Sequence, residues 1–140
     1  MVKLTLFSQI TSLIPRQLFA DIVKKYEGDK YSKGIDSWTQ LISMIFCHLG
    51  QLSSVRDISN GLRSITGNIV HLGCSQAPSK SSISYINRYR TSKIYEEFYY
   101  ALVEYFKVYQ AGSASIEEKS LPVGCQRYIT FAFAVRLGKI

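Results

Sequence analysis

Between Ser37 and Gly50 the residues Trp38, Leu41, Ile42, Ile45, Phe46 and Leu49 fall at i, i+3, i+4, i+7, i+8 and i+11. An α-helix of 3.6 residues per turn gathers that set on one face, whereas a strand would scatter it across two. Ser37 is the expected N-cap of this helix and Gly50 its stop. One apolar face needs cover, and the flanking sequence offers it in the same period. Leu4, Phe7, Ile10, Thr11 and Ile14 predict a first helix closed by Pro15. Leu18, Phe19, Ile22, Val23 and Tyr26 predict a second, stopped by Gly28, and residues 27–36 read as a polar connection.

The pattern continues beyond Gly50. Ser54 with Asp57 three residues on resembles a capping box with Asp in place of Glu, and Val55, Ile58, Leu62 and Ile65 give the helix that follows its buried side. A second short helix, Ser81 to Arg90, is anchored by Ile83 and Ile86. Residues 66–80 between them hold two Gly and one Pro, a connection too long for the tight turn of a standard helix-turn-helix. Thr91 and Ser92 are N-cap candidates for a last helix with Glu96 and Glu97 in its first turns. Ile94, Tyr95, Phe98, Leu102, Tyr105 and Phe106 form its apolar stripe. The expected fold class is therefore all-α, about six helices in one compact domain over residues 1–108 with a helix-turn-helix-like hairpin. Residues 109–140 differ in kind. They open on linker composition at Gly112–Ser115 and contain one isolated strand pattern, Tyr128–Val135, with no partner to pair with. An irregular or weakly β, poorly ordered tail is expected there.

Charge singles out the hairpin. Of 140 residues, 17 are Lys or Arg and 10 are Asp or Glu, a formal net charge of +7. Residues 1–50 hold six basic and four acidic groups, but Ser53 to Lys93 holds six basic and one acidic. Such an excess suits a polyanion, because each neutralised phosphate releases counterions. DNA is thus the expected partner. The candidate contacts are Arg56, Arg63, Lys80, Ser81, Ser82, Ser84, Asn87, Arg88, Arg90 and Lys93. A helix in the major groove can offer Arg to guanine, Asn to adenine and Ser to phosphate, and Ser81 and Ser82 stand near a helix N-terminus suited to phosphate. The alternative is that Arg88 and Arg90 pair with Glu96 or Glu97 across a helix corner. Tyr85 and Tyr89 read as packing at the edge of the core rather than as stacking platforms.

Other chemistry has little support. His48 lies on the Trp38–Leu49 helix as a core or boundary residue, and His71 with Cys74 is only half a zinc site. No phosphate-binding GxxxxGK loop occurs. Cys47, Cys74 and Cys125 form no CxxC, and with no signal peptide a reducing cytoplasm is the expected compartment. The apolar run Leu41–Leu49, broken by Ser43 and His48, is too short to span a bilayer. No cofactor, small-molecule substrate or membrane partner is expected.

Several of these segments resemble a known family. Leu13-Ile-Pro-Arg16, Phe19-Ala-Asp-Ile-Val-Lys-Lys-Tyr-Glu-Gly28, Ser37-Trp-Thr-Gln-Leu41, Phe46-Cys-His-Leu49, Ser54-Val-Arg-Asp-Ile58, Ser82-Ile-Ser-Tyr-Ile-Asn-Arg88 and Ile94-Tyr-Glu-Glu-Phe98 are similar to the N-terminal helical domain of DDE transposases from bacterial insertion sequences of the IS-four type. The resemblance runs over roughly residues 5–107. It implies recognition of the element's DNA ends ahead of an RNase H-like catalytic domain whose three carboxylates hold two divalent metals. Past residue 107 the pattern fails, where family members continue into strands bearing the first catalytic aspartate. The resemblance therefore implies a truncated transposase, a mobile-element protein with no catalytic residues or metal ligands of its own. It would bind DNA without acting as an enzyme, and could compete with or join full-length transposase. A transposase dimerisation module built on Tyr95, Tyr99, Tyr100 and Tyr105 is the alternative, and a non-functional pseudogene product the third. Codons that permit the tail also permit, one nucleotide on, an aspartate and a Phe-Asp-Trp-Ala run, as a frameshift would leave them. Sequencing the coding DNA should reveal that aspartate and tryptophan in the shifted frame; their absence removes the frameshift reading.

Overall fold

A computed structural model describes residues 6–32, 34–65 and 69–112. The chain divides into two units, Met1–Leu102 and Val103–Ile140. The helices are α1 (Leu6–Ser12), α2 (Arg16–Lys25), α3 (Ser37–Leu49), α4 (Val55–Ser64), α5 (Lys80–Tyr89) and α6 (Lys93–Gly112), with a 3-10 turn at Ile69–Leu72. No strand occurs among the described residues. The all-α reading and its six helices are confirmed. The strand pattern at Tyr128–Val135 lies outside the described residues.

The helix boundaries follow local chemistry, with corrections. Asp36, not Ser37, caps α3, its carboxylate accepting from Thr39 N–H at 2.9 Å. Ser37 is the first helical residue instead, and its N–H and hydroxyl both donate to Asp29 Oδ1 at 2.8 and 2.9 Å. At α4 the Ser54 hydroxyl accepts from Asp57 N–H at 3.2 Å and donates to Asp57 Oδ2 at 2.7 Å. The Asp57 carboxylate thus meets the capping hydroxyl, where the Glu of a full capping box would reach back to the N-cap backbone N–H. Helix α5 begins one residue before the expected Ser81, because Ser79 caps it by accepting from Ser82 N–H.

Gly50 caps the end of α3 as expected, whereas α2 is capped by Tyr26, two residues before Gly28; neither glycine is the residue that turns the chain. Glu27 and Gln51 adopt the left-handed conformation, each with φ +50°. Gly28 N–H then donates to Val23 O at 2.9 Å, and Leu52 N–H to Cys47 O at 3.0 Å, as in Schellman caps. Gly28 is required for another reason: a Cβ there would lie 2.6 Å from Ile94 Cδ1 on α6, and Ile94 is fully buried.

Helix α3 is the centre of the Met1–Leu102 unit. Every residue from Ser37 to Met44 is buried, polar ones included, so the apolar stripe understates how much of the helix is covered. Leu49 at the end of that stripe is 53% exposed. The buried Ser43 hydroxyl donates to Thr39 O at 2.7 Å, as a buried hydroxyl must find a partner. Phe19 on α2 ties the core rings together. Its centroid lies 5.8 Å from Trp38, 6.1 Å from Tyr95 and 4.8 Å from Phe98, the last edge-to-face.

From Ile69 onward the connection between α4 and α5 is held by hydrogen bonds to other elements. Trp38 Nε1–H donates to Leu72 O at 2.8 Å. Arg16 donates to Gly73 O at 3.1 Å while its guanidinium lies 4.9 Å from the centre of the Trp38 ring. At the far end Ser59 on α4 donates to Pro78 O at 2.9 Å. Helices α4 and α5 then pack on each other, so the hairpin forms without a tight turn. Gly28→Ala should destabilise the protein by about 1–3 kcal/mol, the usual cost of overpacking a rigid core, seen as a lower melting temperature by circular dichroism.

Candidate nucleic-acid interface

The ten predicted contact residues separate into two groups by burial. Arg56 and Arg63 on α4, Lys80, Ser81, Ser84 and Arg88 on α5, and Lys93 on α6 are exposed. Among the described residues none of their cations enters an ion pair. On α4, Arg56 and Arg63 stand at i and i+7 with Asn60 between them at i+4, one row on the side opposite Val55, Ile58 and Leu62. Charge pattern alone does not single out Asn60. Its spacing from the two arginines is the signal that could have found it, and its exposed amide can both donate and accept.

Helix α5 exposes two adjacent rows. Lys80, Ser84 and Arg88 at i, i+4 and i+8 make a polar, basic row, and Ser81, Tyr85 and Tyr89 at the same spacing make an aromatic one. Ile83 and Ile86 hold the opposite side in the core. Tyr85 and Tyr89 are 64% and 65% exposed, so the expectation that they pack at the edge of the core is corrected. Their rings instead contact each other, with centroids 4.6 Å apart and planes tilted by 43°. The Arg88 guanidinium lies 5.9 Å from the Tyr89 ring.

Arg90 belongs to the interior. Its side chain is 7% exposed, and its guanidinium donates four hydrogen bonds: to Gln40 Oε1 at 2.9 Å, Asp29 Oδ1 at 3.1 Å, Ser32 Oγ at 3.2 Å and Ile35 O at 2.9 Å. Gln40, itself 2% exposed, passes the linkage on. It donates to Asn87 Oδ1 at 2.8 Å and accepts from Tyr95 OH at 2.6 Å. Asn87 therefore faces α3 rather than solvent. Burial pushes the Tyr95 hydroxyl pKa well above the usual phenol value, with the nearby Arg90 cation opposing the shift. The tyrosine stays a protonated donor.

The alternative pairing of Arg88 and Arg90 with Glu96 or Glu97 is not formed: Arg88 enters no ion pair among the described residues, and Arg90 and Glu97 have other partners. Glu97 accepts from Lys25 Nζ at 2.7 Å and from the Tyr26 hydroxyl, and the Lys25 and Tyr26 hydrogen bonds hold its carboxyl below the ordinary glutamate range. Arg90 pairs with Asp29. At the start of α5 the Ser79 hydroxyl already satisfies Ser82 N–H and lies 3.1 and 2.8 Å from the Ser81 and Ser82 hydroxyls. The N–H that would face a phosphate there serves the cap.

Elsewhere the polar groups are structural. His71 is exposed while Cys74 is buried, and burial raises the Cys74 thiol pKa. No cluster of three metal-ligating side chains occurs among the described residues. Nor, among them, is any helix long and apolar enough to cross a membrane. Arg90→Ala should cost about 3 kcal/mol in a denaturant titration, toward the low end for a broken buried ion pair because Asp29 is partly solvated. Arg88→Ala should stay within about 0.5 kcal/mol of the parent protein.

A family model described as a domain of unknown function, DUF4372, matches residues 2–75. That span includes α1 to α4 and the 3-10 turn, while α5 and α6 lie after it. No curated protein and no solved structure matches the chain.

Proposed function

The chain belongs to the DUF4372 domain family, and from that premise we propose that it is a DNA-binding module of an insertion-sequence transposase, one that holds element-end DNA and does not itself cut or join strands. The observation that carries the reading is the distribution of uncompensated cations. Lys25, Lys30, Arg90 and Lys107 are each matched by a carboxylate, whereas Arg56, Arg63, Lys80, Arg88 and Lys93, with Arg16 and Lys24 on α2, are exposed and enter no ion pair among the described residues. Arginines in that condition on two short, mutually packed helices suit a run of phosphates spaced along a duplex. Asn60, Ser84 and Arg88 add side chains able to reach base edges. The resemblance of residues 5–107 to transposase N-terminal domains supplies the biological setting.

A second reading, a self-association module, has its own observation. Tyr100 is 57% exposed, and farther along α6 Tyr105 and Val108 are 45% and 72% exposed. Aromatic side chains are enriched at protein interfaces.

Salt titration separates the two readings. The parent protein should bind duplex DNA with an affinity that falls steeply with salt. Arg56→Ala combined with Arg63→Ala and Arg88→Ala should weaken it and flatten the log–log salt slope by about one unit for each phosphate no longer neutralised. Element-end DNA should bind more tightly than random duplex at fixed salt. Equal affinity for the two would leave only nonspecific electrostatics. A variant with an altered oligomeric state but unchanged DNA affinity would favour self-association.

A further inference from the structure

The aromatic row of α5 borders a cleft that the duplex-binding surface does not use. This open depression of about 790 Å³ lies between α5 and the connection after α2. Tyr26, Tyr31, Tyr85 and Tyr89 contribute to its lining, with Ser81 and Ile86. Tyr31 is 86% exposed, and Lys30 Nζ lies 6.0 Å from its ring. The charges within the cleft are internally matched, Glu27 by Lys30 and Arg90 by Asp29. Beside the cleft on α5, Arg88 lies 5.9 Å from the Tyr89 ring, exposed and in no ion pair among the described residues.

We propose that this tyrosine-lined cleft binds unpaired nucleotides, taking a single strand whose bases stack on Tyr85, Tyr89 and Tyr31 while its phosphates meet Arg88. Exposed, largely planar side chains beside uncompensated cations are what single-strand binding requires. Every base offers a π-face to an aromatic ring, and the backbone needs positive charge along its track. The Tyr85 and Tyr89 rings already stand side by side, 4.6 Å apart and tilted by 43°, so two adjacent ring faces are in place before a strand arrives. Their hydroxyls leave the pair wettable, consistent with the exposure of both side chains. A duplex keeps its bases stacked inward and cannot use these rings. The cleft therefore discriminates strand state, which the basic rows of α4 and α5 alone do not.

The test is fluorescence anisotropy of a labelled oligothymidylate of about a dozen nucleotides, run beside a mixed-sequence duplex at the same salt concentration. Tyr85→Ala with Tyr89→Ala should weaken single-strand binding by about tenfold or more, the range expected for losing base stacking, and change duplex binding by less than about threefold. Tyr85→Phe with Tyr89→Phe keeps the rings and should bind the single strand like the parent protein. A parent protein that does not bind oligothymidylate, or an alanine pair that binds it undiminished, overturns the proposal. So does an equal loss for both nucleic acids, which would make the tyrosines part of the duplex surface. A change of sedimentation in the alanine pair without oligothymidylate binding would mark the cleft as a contact between copies, and also overturns it. Oligothymidylate binding by a parent protein that ignores duplex would leave this inference standing and remove the duplex reading.

Discussion

The buried guanidinium of Arg90 determines where the surface of this protein can be. Its four hydrogen bonds reach the connection after α2 through Asp29, Ser32 and Ile35, and reach α3 through Gln40. Gln40 extends the same network to Asn87 on α5 and Tyr95 on α6. A charge removed from water at this depth is tolerated only when its donors are satisfied and a counter-ion stands by. Asp29 supplies the counter-ion, and its other bonds, from Ser37 N–H and Oγ, fix the first turn of α3. One guanidinium thus sets the entry to α3, the end of α5 and the position of the intervening loop.

That arrangement explains why α5 can display so much. A ten-residue helix is marginal alone and owes its stability to its packed side. Here Ile83 and Ile86 supply the apolar anchor, while Asn87 and Arg90 supply a directional one. Hydrophobic contact alone would permit rotation by a few tens of degrees about the helix axis; the Gln40 hydrogen bonds do not. The basic row and the aromatic row consequently hold fixed directions.

Elements defined by period and charge were legible in the sequence: the core face of α3, the paired α4 and α5, and the exposed cations of both. What sequence hid were relations between distant residues. Arg90 carries the same charge as Arg88 two positions earlier, yet one lies in the core and the other outside. Arg90 meets Asp29, sixty-one positions away, whereas Arg88 meets no carboxylate among the described residues. Gln40 and Ser43 look like the polar side of an amphipathic helix, and are buried because neighbouring segments bring partners to them. Glu27 and Gln51 turn the chain where adjacent glycines were the obvious candidates, since the Schellman hydrogen bonds outweigh the modest cost of a left-handed side chain. The tyrosine platform was hidden because ring exposure depends on what packs beside α5, which no local pattern records.

The two rows on α5 constrain what nucleic acid could occupy both at once. Successive residues on a helix are separated by 100°, so Lys80, Ser84 and Arg88 lie next to Ser81, Tyr85 and Tyr89 on a cylinder about 10 Å across with side chains. A duplex lying on the basic row is wider than that separation. It would overhang the tyrosines and, being fully stacked, offer them no base. Joint occupancy needs the strands to part beside Arg88, with duplex on one side and unpaired bases on the other. Arg88 is suited to that boundary, because its guanidinium lies within reach of the Tyr89 ring and can also meet a phosphate. A partner that filled both rows at once would therefore have to be a junction between paired and unpaired strands.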